Sequence, residues 1–102
     1  MSLENPRNRV ELTGVVSALE TLRYTPAGIP IVEVKLDHES PQEEAGKART
    51  VKCEVSAVAA GQVAQRLVQA NLGARIKVTG FLAHRGKSKV QLVLHINEFE
   101  FI

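Results

Sequence analysis

Five stretches of this chain alternate apolar and polar residues with a period of two, and one stretch between the third and fourth departs from it. Such alternation restricts the backbone to strands, because successive side chains along a strand point to opposite faces. IVEVKLD, residues 31–37, is the cleanest case: Val32, Val34 and Leu36 face inward, and Glu33, Lys35 and Asp37 outward. TVKCEVS, 50–56, repeats it, with Val51, Cys53 and Val55 on one face and Thr50, Lys52 and Glu54 on the other. Earlier, from Asn8, Val10 and Leu12 alternate with Arg9, Glu11 and Thr13 until Gly14 interrupts. A glycine inside a strand pattern predicts a bulge or a sharp bend. ARIKVTGFLAH, 74–84, sets Ile76, Val78, Gly80 and Leu82 opposite Lys77, Thr79 and Phe81, and VQLVLHINEFEFI, 90–102, is the fifth strand.

The period changes at Val58. In VAAGQVAQRLVQANLG, Val63, Leu67 and Val68 fall at helical spacing, and Asn71 to Gly73 supply an end signal, which predicts a short helix. YTPAGIP, 24–30, must turn at its two prolines and glycine. HESPQEEAGKAR, 38–49, has no apolar periodicity and reads as a long loop. Five strands, one short helix between the third and fourth, and a bend-prone glycine in the first make up the order of the OB-fold, an all-β, partly open five-stranded barrel. A generic antiparallel sheet with one helix has the same strand count; the helix placement and the kinks at Gly14 and Gly80 favour the barrel. Residues 1–7 read as a flexible N-terminus and 8–102 as a single OB-fold domain, a length that supports one modest core.

Catalysis finds little support. His38 lies beside Asp37 and Glu39 in a polar stretch, His84 beside a basic turn, and His95 in an apolar strand, without the oriented acid–base pair that catalysis needs. Cys53, the lone cysteine, sits on the inward register of its strand and reads as a packed core thiol. One thiol and three scattered histidines give no zinc spacing, so neither metal nor cofactor is expected. The absence of an apolar run near the roughly 20 residues of a membrane span, and a polar start without a signal-peptide core, make a cytoplasmic protein the expectation.

The formal net charge is only +2, so charge speaks through local clustering. HRGKSK, 84–89, is the densest cluster: Arg85, Lys87 and Lys89 surround a glycine on a predicted hairpin tip. Either it is a solvated turn, or a finger that touches something negative. In an OB-fold, the loops after the first and fourth strands flank the oligonucleotide groove. The first of these loops carries Arg23 and Tyr24, and the second is the finger. Single strands are held by cations that track phosphates and aromatic faces that stack on bases. The candidate cations are Arg23, Lys35, Arg49, Lys52, Lys77, Arg85, Lys87 and Lys89; Lys35, Lys52 and Lys77 share an outward register and would together pave one face. Tyr24 is a candidate base-stacking residue. Phe81, on the polar register of its strand, reads either as a stacking platform or as packing beneath the helix or in a subunit interface.

NRVELTGVV near the start, TPAGIP in the first loop, HESPQEEAG in the second and GARIKVTGF in the fourth strand resemble the primosomal replication protein N (PriB) family. These are small bacterial OB-fold proteins related to single-stranded DNA-binding protein, and the likeness runs from about Asn8 to Phe101. It implies a homodimer that binds single-stranded DNA during replication restart, joins the primosomal helicase (primosomal protein N-prime) on DNA, and hands over to further primosome loading proteins. It also implies phosphate contact for Arg85, Lys87 and Lys89 in the finger, for Arg23 in the first loop and for Arg49 at the foot of the third strand. Where some members carry a stacking tryptophan and a preceding aromatic, this chain has Lys52 and Lys47. That substitution keeps phosphate contact and removes the stacking. The acidic stretch around Glu39, Glu43 and Glu44 would repel phosphate; it reads either as a solvated loop or as a surface for a basic protein. The alternative function is therefore an OB-fold adaptor between primosome proteins with weak DNA affinity.

Overall fold

In the computed structural model, which describes residues 6–87 and 91–102, six strands and one helix follow one another along the chain. They are β1 (Val10–Leu19), β2 (Arg23–Tyr24), β3 (Pro30–Glu44), β4 (Lys47–Ala60), α1 (Gln62–Leu67), β5 (Arg75–His84) and β6 (Leu92–Phe101). β2 is a two-residue rung that adds Arg23 and Tyr24 to β3 opposite Ile31 and Pro30. The other five strands pair in the order β1-β5-β6-β4-β3, and β1 meets β3 to close the ring. The β4–β6 contact is a parallel pairing of three residues on each strand, the shortest seam of the barrel. This is the OB-fold, with its helix between the third and fourth barrel strands.

The inward residues of the alternation form the core. Val32, Val34 and Leu36 of β3, Ile76 and Val78 of β5, and Leu94 and Ile96 of β6 are buried together with Val16, Leu67 and Phe99. Burying a side chain of this size stabilises the fold by about 1.5–3 kcal/mol each. One strand serves both halves of the barrel: β1 pairs with β5 over Val10–Val15 and with β3 over Val15–Leu19. The register shift that permits the switch falls between Val16 and Ala18, not at Gly14. Gly14 instead permits close approach, since a Cβ there would lie 3.1 Å from the Asp37 carbonyl oxygen and the Leu36 Cβ. At Gly80 the approach is closer still: a Cβ would stand 1.9 Å from the His95 carbonyl oxygen, beside a register shift between β5 and β6.

Three expectations are corrected. Residues 38–49 are not a loop: β3 and β4 stay paired in unbroken register from Ile31↔Ala60 to Glu44↔Lys47. The reversal is the two-residue turn Ala45–Gly46, with φ of 54° and 76°. Such a turn with two positive φ values matches the twist of a hairpin. The strand signal was missing because this part of the hairpin runs past the barrel, where neither face is buried and no apolar alternation is needed. The same projection corrects Cys53. It keeps the inward register of β4, yet it is exposed, because at that height the register faces no barrel interior. Finally, the helix spans only Gln62–Leu67; Val58 and Ala59 belong to β4, paired with β3 on one side and β6 on the other. Gly61, at φ 75°, separates strand from helix. Six residues are too few for a helix to stand alone. α1 is held by burial of Ala64 and Leu67 and by Arg66, whose guanidinium lies 4.6 Å from the centroid of the Phe99 ring.

Candidate nucleic-acid interface

A groove of about 590 Å³ runs across the barrel between β2 and the root of the finger after β5. That volume lies within the range of small-ligand sites. Its floor is apolar: Ile31 and Val34 from β3, Ala57 to Ala60 from β4, and Val93 and Ile96 from β6. Small side chains on β4 leave the depression open, and the parallel β4–β6 seam runs beneath it. Phe81 and His95 stand on the wall as a stacked pair, with ring centroids 5.0 Å apart and planes 9° from parallel. Phe81 is half-buried and paired across the strands with His95, so its place on the polar register is accounted for by this groove face rather than by the helix. The buried His95 Nε2 has no hydrogen-bond partner among the described residues.

Arg23, Lys35 and Arg85 stand around this groove. Glu33, which the charge pattern did not single out, sits between two of them. Its buried Oε2 lies 3.0 Å from Arg23 Nη1, an ion pair without hydrogen-bond geometry, and its Oε1 pairs with Arg85 Nη2. The Glu33 side chain is only 12% exposed, whereas those of Arg23 and Arg85 are 59% and 48% exposed. A single carboxylate thus joins the two walls of the groove. Arg85 comes from far along the chain, so no local sequence signal exists for this contact; the barrel brings it about. Lys87 is exposed just beyond Arg85, and Lys89 lies outside the described residues. Tyr24 is 62% exposed at the rim strand.

The remaining cations do not share one face. Lys35 and Lys52 lie on the outer side of the β3–β4 hairpin, paired with Glu54 and Glu39 at 3.6 Å in each case. Lys52 belongs to a different depression, with Asp37, His38 and Cys53. Lys77 lies on the outside of β5, in register with Glu100 and beside Glu11 and Glu98. Outward register on a closed barrel means only that a residue faces away from the axis, and successive strands around the ring face different directions. Arg49 is near the hairpin tip, 2.6 Å from Glu44. Exposed pairs of this kind contribute at most about 1 kcal/mol and exchange readily for another anion.

A five-stranded OB barrel with an apolar groove walled by an aromatic pair and guanidinium groups defines a class: oligomer-binding OB-fold proteins. Comparison with known sequences narrows it. Residues 8–98 match the family described as "Another single-strand binding protein family". The chain is 38% identical over 96 residues to replication restart protein PriB of Nitrosomonas europaea, covering 94% of this chain and 89% of that one. A solved structure of PriB from Ralstonia solanacearum superposes with a TM-score of 0.85 at 37% identity, covering 93% and 97% of the two chains. The single-stranded DNA-binding protein of Thermus aquaticus, 24% identical with a TM-score of 0.76 over 94% of this chain and 50% of that one, shares the fold. This chain belongs to the single-strand binding family, among the proteins named replication restart protein PriB.

Proposed function

We propose that this protein binds single-stranded DNA in the groove between β2 and the finger, as a non-catalytic component of the bacterial replication-restart primosome. What carries the reading is the union, in one depression, of an apolar floor, the stacked Phe81–His95 pair and guanidiniums on both walls. Those are the two contacts a single strand offers: base faces and phosphates. Arg23, Tyr24, Phe81 and Arg85 line or rim this path, Lys87 extends it, and Lys89 is proposed as a further phosphate contact. Lys35 stands on its edge, while Arg49, Lys52 and Lys77 serve as secondary contacts for a longer strand. The names of the relatives support replication restart as the setting, in the cytoplasm, where the protein stabilises the primosomal helicase on DNA and hands over to loading proteins. A homodimer through β1 completes the reading. Over Val10–Thr13 the edge of β1 opposite β5 has no strand partner among the described residues, and unpaired edges are templates for association. Among the described residues, no helix is long and apolar enough to cross a membrane.

One observation favours a second reading, a protein adaptor with weak DNA affinity. Arg23, Lys35, Arg49, Lys52 and Arg85 all meet carboxylates, which mutes the positive field of the interface. Fluorescence anisotropy of a labelled oligothymidine, with and without the helicase, separates the two. Binding by the protein alone that falls steeply with salt supports the first. DNA association that occurs only when the helicase is present supports the second.

A further inference from the structure

We infer that Glu33 is an internal counter-anion that occupies the groove's guanidiniums in the absence of nucleic acid and sets the affinity of the site. The inference rests on the reading of the groove as a single-strand site. One carboxylate, supplied by β3, holds Arg23 on one wall and Arg85 on the other. No other described ion pair has a partner so enclosed: the carboxylate side chains of the remaining pairs are all more than half exposed. The enclosure makes the bond asymmetric. Either arginine can swing away, being about half exposed, but Glu33 cannot follow it into solvent. A phosphate that takes a guanidinium from Glu33 therefore leaves a poorly hydrated carboxylate behind, which is the costly half of breaking a semi-buried pair. The carboxylate also stands among the groups that would receive a polyanion, so it repels what the arginines attract.

The latch also has a mechanical side. Arg85 is the root of the finger, where its amide donates to the Gln91 carbonyl at 3.3 Å. Through Glu33 this root is tied to β2, so the first loop and the finger are coupled across the groove. Exchange of Glu33 for phosphate frees both at once.

The test is Glu33→Gln, which is nearly isosteric and removes the charge. Its control is Glu20→Gln, a second groove carboxylate, whose backbone amide donates to the Glu33 carbonyl but which forms no ion pair among the described residues. With labelled oligothymidine at moderate salt, Glu33→Gln should bind about tenfold more tightly than the natural protein, about 1.4 kcal/mol. The salt slope should stay the same, because the final phosphate contacts are the same. Glu20→Gln should gain clearly less. In a background of Arg23→Gln with Arg85→Gln, the gain from Glu33→Gln should shrink to that of Glu20→Gln, the share left by plain repulsion. Unchanged or weaker binding by Glu33→Gln overturns the inference, as does an equal gain from Glu20→Gln, which would mean diffuse repulsion. A readout without DNA is hydrogen exchange at the Arg85 amide, expected to quicken in Glu33→Gln; unchanged exchange overturns the latch. Failure of the natural protein to bind any oligothymidine would instead fell the proposed function, leaving the exchange measurement to judge the latch.

Discussion

Phe81 of β5 and His95 of β6 lie opposite each other across the strands, and their rings stack at 5.0 Å with 9° between planes. Neither ring is in the barrel core. The pair forms a flat wall on the groove, which is where a base would stack. Phe81→Ala is expected to weaken oligothymidine binding by about 1–3 kcal/mol, the usual worth of one stacked base, without changing its salt dependence. Anisotropy at several salt concentrations reads both quantities. Affinity that stays at the natural level would reduce the pair to packing.

The finger should act through charge instead. Replacing Arg85, Lys87 and Lys89 together by alanine removes the three phosphate contacts proposed for the finger. Each contact on a single strand contributes about 0.7 to the slope of log K against log salt, so the slope should flatten by about 2. The loss should be similar for oligonucleotides of different sequence, because phosphate contacts carry no base information. Natural affinity together with a natural slope would show that the finger is only a turn.

The barrel's closest backbone approach makes a stability prediction. A methyl group at Gly80 would meet the His95 carbonyl oxygen at 1.9 Å, and backbone cannot move aside cheaply. At Gly14 the nearest atoms are at 3.1 Å, which a small shift relieves. Gly80→Ala should therefore cost at least the roughly 1–3 kcal/mol typical of overpacking, and clearly more than Gly14→Ala. Each kcal/mol lowers the Tm of a domain this size by about 4–8 °C. Thermal unfolding followed by circular dichroism gives the order, and equal melting temperatures for the two variants would contradict it.

Cys53 gives a direct check of the projecting hairpin. An exposed thiol should react with a thiol reagent in the native protein at a rate near that of the unfolded chain. Cys53→Ser should change stability by no more than about 0.5 kcal/mol, as surface substitutions do. A thiol that reacts only after denaturation would place that face of the hairpin under cover.

The stretch of β1 that has no second strand partner among the described residues predicts the assembly. Sedimentation at micromolar concentration should find a species of twice the 11.1 kDa chain mass. Replacing Glu11 by proline, an exposed residue whose amide faces away from β5 on that edge, should shift it toward monomer. A monomer for the natural protein at that concentration would refute pairing through this edge.

The sequence by itself determined much of the strand core and the five strands of the barrel, although Leu82 and Cys53, on the inward register, are exposed. Wherever one face of a strand is buried, period two is compulsory, and Val32, Val34, Leu36, Ile76 and Val78 could be read directly from their spacing. It determined the helix's place in the chain and marked Gly14 and Gly80 as special, although Gly14 is a close approach and not the bend expected there. Local spacing stopped being informative where burial stopped. From His38 to Arg49 the hairpin runs past the core, so that stretch carries no apolar rhythm, and just beyond it Cys53 keeps an inward register with no interior to enter. Tertiary structure alone decided which outward residues are neighbours. Closure of the barrel sent Lys35, Lys52 and Lys77 to different depressions, although their registers are alike. It set Phe81 against His95, and it brought Arg23 and Arg85 from distant segments onto one carboxylate. Register along a strand is a local property of the chain; adjacency around a barrel depends on long-range pairing and shear, which no short window of sequence contains.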